Sequence, residues 1–292
     1  MDILKQLEIT TWDNRFKSAF QQDATQAIEN GQLLFFPKLA FALQEHELRF
    51  LSPDYLLPQV KNISFNLNTQ KLNGLQGGAE EQAQIIAMMS RFAQQAHQLI
   101  TDLFPHYHQS LQIMRTSFRP AQITDRKTSY RKDDRLLHVD AFPANPNQGK
   151  RILRVFSNIN PHNEPRVWQV GEPFETVAKR FLPQISRSWW GSNWLLKALK
   201  ITKSLRTDYD HIMLQIHDRM KFDRGYQLTV DKKELCFPAQ SSWIVQTDHV
   251  SHAALSGQHL LEQTFYLPVN AMMDPGKSPL KVLEQLMGSK LA

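Results

Sequence analysis

Short apolar runs of strand length crowd the middle and the end of this chain, and no regular helix–strand alternation separates them. Leu111, Ile113 and Phe118 mark one run; others fall at 136–142, 151–160, 167–170, 226–230, 235–237, 243–246 and 260–267. An earlier run in GQLLFFPKLAF stops at Pro37. Helical periodicity sits in separate blocks. Ile85, Met89, Phe92, Ala96, Leu99 and Leu103 recur at spacings of three and four, which predicts a helix over 80–104 that Pro105 ends. Further helices are expected at 174–184, 192–204, 208–220 and 275–287, while 61–78, rich in Asn, Gln and Gly, reads as a loop. This order excludes a doubly wound α/β fold. It predicts a mainly β sandwich or open barrel with supporting helices, one domain over residues 1–292 with a helical insertion around 174–222.

The 292 residues are enough for a substantial core, and Lys plus Arg at 34 against Asp plus Glu at 28 give a mild charge of +6. That excess favours an anionic substrate or surface without requiring one. The single cysteine, Cys236, rules out an intrachain disulfide and a Cys-rich metal site. Neither a signal peptide nor a spanning helix is expected. No phosphate-cradling loop or nucleic-acid motif is present, so no nucleic-acid partner is expected.

The chemistry concentrates in RLLHVDAFP. On extended backbone, residues i and i+2 share a face, so His138 and Asp140 can reach one point while Val139 packs behind them. One further histidine completes a two-histidine, one-carboxylate set, the arrangement that leaves positions open on iron for a cosubstrate and dioxygen. His-x-Asp alone is common, and such pairs usually satisfy ordinary hydrogen bonds. The third ligand is sought in SSWIVQTDHVSHAALSGQHLLEQTFYLP. His252 sits in a turn before the last strong strand and is favoured, with His249 and His259 as rivals.

Three segments, HVDAFPANP, RILRVFSNINP and TDHVSHAALSGQHLLEQTF, together with the early GQLLFFPKLAF, resemble the Kdo hydroxylases. These are iron- and 2-oxoglutarate-dependent dioxygenases acting on the 3-deoxy-D-manno-oct-2-ulosonic acid (Kdo) of bacterial lipopolysaccharide. The resemblance implies a distorted double-stranded β-helix, a jelly-roll or cupin-like fold. It implies iron held by His138, Asp140 and His252, with 2-oxoglutarate as cosubstrate and dioxygen as substrate. It further implies hydroxylation at C3 of a Kdo residue in Kdo-lipid A, a cytoplasmic location and peripheral contact with the inner membrane.

Many oxygenases of this superfamily place an arginine about ten residues after the distal histidine, to hold the far carboxylate of 2-oxoglutarate. Residues 260–266, LLEQTFY, have none. Arg154 is the substitute expected here, since a guanidinium holds a carboxylate through two parallel hydrogen bonds; Arg151, Arg115 and Arg119 are alternatives. Arg131 and Lys132, in the basic stretch 126–135, are expected to meet an anionic sugar acid or lipid phosphate, if that stretch is more than a solvated loop. The Trp- and Lys-rich segment 187–206 fits either an anionic membrane interface or a support helix. The competing functions are a hydroxylase of another anionic lipid or sugar, and a non-catalytic glycan- or membrane-binding β-sandwich.

Overall fold

A computed structural model describes residues 2–58, 60–123, 129–186 and 205–292. Among these residues eleven strands form two sheets. The large one contains β1 (Leu4–Gln6), β2 (Leu33–Phe36), β3 (Ile63–Asn66), β4 (Lys71–Asn73), β5 (Gln112–Arg119), β6 (Arg151–Asn158), β9 (Ser242–Gln246) and β11 (Leu260–Leu267). Its order is β1-β2-β9-β6-β11-β5-β3-β4. The small sheet has the order β10-β7-β8, from β7 (Arg166–Val170), β8 (Lys233–Phe237) and β10 (His252–Ser256).

The two sheets face each other as a jelly roll, and strand alternation divides the chain among three apolar layers. On β6, Leu153 and Val155 turn outward while Phe156 turns inward; on β9, Ile244 faces out while Trp243 and Val245 face in. The outward set packs under α1 (Ser18–Glu29) and α2 (Ala79–Leu103). The inward set meets Trp168, Leu235 and Phe237 of the small sheet. There Trp243 stacks on Phe237 at 4.0 Å between ring centroids, and Trp168 meets Trp243 edge-on at 5.6 Å. Behind the small sheet, Leu137, Val139 and Ala253 bury against α3 (Phe174–Phe181), α4 (Asp208–Phe222) and α6 (Pro279–Met287). Gly257, at φ +105, makes the tight return from β10 to β11, where a Cβ would lie 2.9 Å from the Pro165 carbonyl oxygen. Among the described residues no helix is long and apolar enough to cross a membrane.

Several expectations need correction. Residues 61–78 are not merely a loop: Ile63 and Phe65 are fully buried on β3, which pairs with β4, and the polar composition between them masked this hairpin. Tyr226–Val230 does not form a strand. Arg224–Thr229 is a short helix, α5, because the Asp223 side chain accepts from the Tyr226 N–H and caps it. Residues 136–142 are extended but make only one bridge, His138 to His252, and His252 opens β10 rather than sitting in a turn. The terminal helix starts at Pro279, with a separate 3-10 turn at Pro275–Lys277 before it. The expected helix at 192–204, and nearly all of the Trp-rich segment, lie outside the described residues.

Candidate functional site

Backbone pairing brings the two motif halves together. His138 N–H donates to the His252 carbonyl at 3.0 Å, and His252 N–H returns the bond at 2.9 Å. Asp140 N–H donates to the Thr247 carbonyl at 2.8 Å, which ties the extended segment to the end of β9. The imidazoles are oriented by a repeated device. Nδ1 of His138 lies 2.8 Å from the Leu136 carbonyl, and Nδ1 of His252 lies 2.8 Å from the Val250 carbonyl. A carbonyl can only accept, so Nδ1 carries the proton in both rings and each Nε2 keeps its lone pair for the site. Trp168 lies flat against His252, ring centroids 5.1 Å apart and planes 20° apart, and His217 presents an edge to His138 at 5.3 Å.

His138, Asp140 and His252 each offer a ligand atom, and those atoms all lie within 4.8 Å of one another. No other such group occurs among the described residues. All three side chains are buried. Burial, then Lys221, His252 and His217, pushes the His138 imidazole well below its ordinary range; burial also lowers His252. Burial opposes ionisation of Asp140, but Arg154 and His252 help to outweigh it and hold the carboxyl below the usual range. The set at neutral pH is therefore two neutral imidazoles and one carboxylate. Asp140 Oδ2 is buried without a hydrogen bond, the nearest guanidinium nitrogen of Arg154 standing 3.1 Å away out of alignment. A buried, unsatisfied carboxylate oxygen beside two converging lone pairs fits a divalent metal of the iron type.

The rivals lie elsewhere. His249 is not in the group; it packs edge-on to Phe174 at 5.9 Å, and burial drives it down to about 3. His259 takes a backbone position beside Arg119.

Among the arginines, Arg151 is fully buried in an ion pair with Asp248, Nε to Oδ2 2.7 Å, and serves the core; Arg115 is exposed on β5. Arg154 faces the site. Its Nη2 approaches Asp140 and its Nη1 lies 3.3 Å from Glu262 Oε1, while Arg119 takes the other Glu262 oxygen at 3.1 Å. Glu262 thus stands ten residues after His252, where an arginine was sought, and links two arginines instead.

These groups line a pocket of about 590 Å³. Arg131 and Lys132 are at its exposed mouth, with Lys61, whose ammonium reaches the Lys132 carbonyl and Asp134. Arg131 also pairs with Asp218 at 3.0 Å. Lys221 and His217 come from α4. Arg166, Trp168, Phe156 and Leu260 are buried members of the lining. Among the described residues seven Lys and Arg side chains line the pocket against four Asp and Glu, a cationic chamber suited to carboxylates and phosphates. Sequence reasoning missed Arg166, Trp168, His217, Lys61 and Lys221. The i, i+2 spacing of Arg166 and Trp168 on a strand already implied a shared face. The other three carry no local signal.

The family model for 3-deoxy-D-manno-oct-2-ulosonic acid (Kdo) hydroxylase matches residues 11–290. The chain is similar to solved structures of the Kdo hydroxylase KdoO, a non-heme Fe(II) alphaketoglutarate dependent dioxygenase. Its complex with alphaketoglutarate and Fe(III) is 46% identical at a TM-score of 0.96, covering 100% of this chain and 98% of that one. The cobalt(II) complex gives 46% identity and a TM-score of 0.97 over 99% and 97%, and the complex with succinate and Fe(III) gives 46% and 0.96 over the same shares. No curated protein matches the chain. With the family model spanning nearly its whole length and this set of relatives alike in sequence and fold, the chain belongs to the Kdo hydroxylase family.

Proposed function

We propose that this chain hydroxylates C3 of a Kdo residue carried on lipid A, using Fe(II) and 2-oxoglutarate, at the cytoplasmic face of the inner membrane. The observation that carries the reading is the convergence of His138, Asp140 and His252 inside a cationic pocket. Bound Fe(II) and 2-oxoglutarate would activate dioxygen, the oxidant, placing one of its oxygen atoms on an aliphatic carbon and the other in succinate, with carbon dioxide released.

The chain's own residues supply position and charge. His138, Asp140 and His252 would hold the metal through one ligand atom each. Trp168 and the two carbonyl-bound Nδ1–H groups keep the imidazoles from turning. Arg154 was the expected partner of the distal 2-oxoglutarate carboxylate, but its terminal nitrogens already face Asp140 and Glu262. Its position suits holding Asp140 ionised and aimed. Arg166 fits the distal carboxylate better. Val170 of β7 pairs with His252, and Arg166 precedes Val170 by four residues, placing its backbone about 13 Å deeper along the strand. The Arg166 Nη1 donates to the Gly257 carbonyl at 2.7 Å, and the side chain lines the pocket with Phe156, Trp168 and Leu260, buried residues among which a carboxylate–guanidinium pair is strong. Arg131, Lys132, Lys61 and Lys221 suit the carboxylate of the sugar acid and the phosphates of its carrier.

The test is mass spectrometry of Kdo-lipid A after incubation with the purified protein, Fe(II), 2-oxoglutarate and oxygen. Gain of one oxygen on a Kdo residue, dependent on both additions, is expected. Succinate release without any change in the glycolipid would reject the substrate assignment.

A further inference from the structure

Ten large apolar side chains stand exposed among the described residues, and three of them, Tyr130, Phe222 and Leu228, line one groove that shares Lys221 with the pocket. Leu228 is 83% exposed and Phe222 69%, although the Tyr130 ring lies only 5.5 Å from that of Phe222. Phe222 directly follows Lys221, and Tyr130 directly precedes Arg131 and Lys132, three cations that line the pocket. Leu57 and Val60, also exposed and joined by the Val60 N–H to the Leu57 carbonyl, precede Lys61 of the pocket lining in sequence. Leu205 precedes Arg206, which donates to the carbonyl of Pro143, another lining residue, at 2.9 Å.

Isolated exposed leucines are ordinary on a soluble protein; apolar tips grouped around a functional opening are not. The charges beneath the tips matter equally. Tyr130, Phe222 and Leu228 share their groove with Arg219 and Arg224. The acids nearby are already engaged: Asp133 with Arg135, Asp218 with Arg131, and Asp223 as the cap of α5. What projects is therefore apolar, and what lies behind it is cationic.

We propose that this rim docks the protein on an anionic lipid bilayer, with Phe222 and Leu228 inserted at the headgroup–acyl boundary and the mouth cations at phosphate level. The inference rests on the reading of a lipid-linked substrate, whose sugar would then meet the pocket without leaving its membrane. Buried apolar area and attraction to anionic headgroups are the two terms that hold an interfacial protein, and both are present on one face.

The test is co-sedimentation of the full chain with vesicles of phosphatidylglycerol and phosphatidylethanolamine, against vesicles of phosphatidylcholine alone. The wild type should bind the anionic vesicles, and more weakly at high salt. Phe222→Ser with Leu228→Ser should lower partitioning about tenfold or more, while Leu48→Ser, at an exposed site outside the rim and groove, should leave it unchanged. Arg219→Gln with Arg224→Gln keeps every apolar group and should weaken binding to anionic vesicles alone, which guards against a serine variant that fails to fold. Turnover separates the two readings: the serine variant should lose activity on vesicle-embedded Kdo-lipid A and keep it on a soluble Kdo glycoside. Vesicle binding that holds while no Kdo compound is oxidised sinks the substrate assignment and leaves the docking surface standing. A wild type that ignores anionic vesicles overturns the docking proposal. So does a serine variant that binds them normally, or a dimer in solution that the serine pair dissolves.

Discussion

Replacing Arg154 with Met removes the cation facing Asp140 while keeping much of the side-chain volume. The Arg154, Asp140 and Glu262 side chains are only 10%, 10% and 5% exposed, so water does little to compensate. At about 3 Å and an effective dielectric near 20, each contact is worth about 5 kcal/mol of attraction before desolvation is subtracted. Breaking a buried pair typically costs about 3–5 kcal/mol, because a charge is left behind. Here the lower end applies, since Glu262 keeps Arg119 and only Asp140 is stranded. The expected loss is therefore about 3 kcal/mol in the metal-free protein, with the Asp140 carboxyl moving upward as burial loses its largest opponent. A divalent metal supplies the missing positive charge. The stability gap between Arg154→Met and wild type, read by thermal unfolding, should narrow when cobalt(II) is added, and by linkage the variant's cobalt affinity should rise. The effect on cosubstrate should be smaller than that of Arg166→Met, which should raise the 2-oxoglutarate KM without weakening cobalt binding. If Arg154→Met instead matches wild type in metal-free stability and cobalt affinity and raises the 2-oxoglutarate KM most, Arg154 is the cosubstrate anchor and the division of labour given above is wrong.

Other outcomes follow from the same geometry. Asp248→Asn leaves the fully buried Arg151 without its counter-ion and should destabilise the fold by about 3–5 kcal/mol with no change in metal stoichiometry, measured by denaturant unfolding and metal analysis. His249 and His259 are held neutral by burial, down to about 3 and about 4, so below pH about 6.5 the unfolded chain binds more protons and stability falls with pH. Each contributes at most about 1.4 kcal/mol per pH unit, and His249→Phe should flatten that slope in acid unfolding curves. Trp168→Leu removes the ring lying on His252 and should lower kcat with the protein still folded, checked by steady-state kinetics and circular dichroism.

Local pattern made the first half of the site legible. His138 and Asp140 needed only extended backbone to share a face, so the reading survives although the segment makes a single bridge and no ladder. His252 was identifiable as one of three histidines in a short stretch; the choice among them depends on the reciprocal backbone pair with His138, a contact across more than a hundred residues that spacing cannot encode. The same limit hid Lys61 and Lys221, which reach the pocket from the turn before β3 and from the end of α4. Glu262 shows a different failure. Its position was noticed only for lacking an arginine, whereas its role came from two arginines on neighbouring strands, β5 and β6, in register with β11. Fold class came through because strand-length runs and the long amphipathic α2 are strong signals. The hairpin at β3–β4 and the helix α5 did not, since short elements are decided by pairing and capping rather than by periodicity.

Anaerobic titration of the protein with Fe(II) and 2-oxoglutarate, followed by the visible charge-transfer absorption of the Fe(II)–2-oxoglutarate chelate, tests the metal centre most directly. Wild type and His249→Ala should develop the band at one equivalent of iron, as expected for a single three-residue centre. His138→Ala, Asp140→Ala and His252→Ala should each abolish or strongly weaken it. A full band in His252→Ala, or its loss in His249→Ala, would contradict the assignment of the iron ligands.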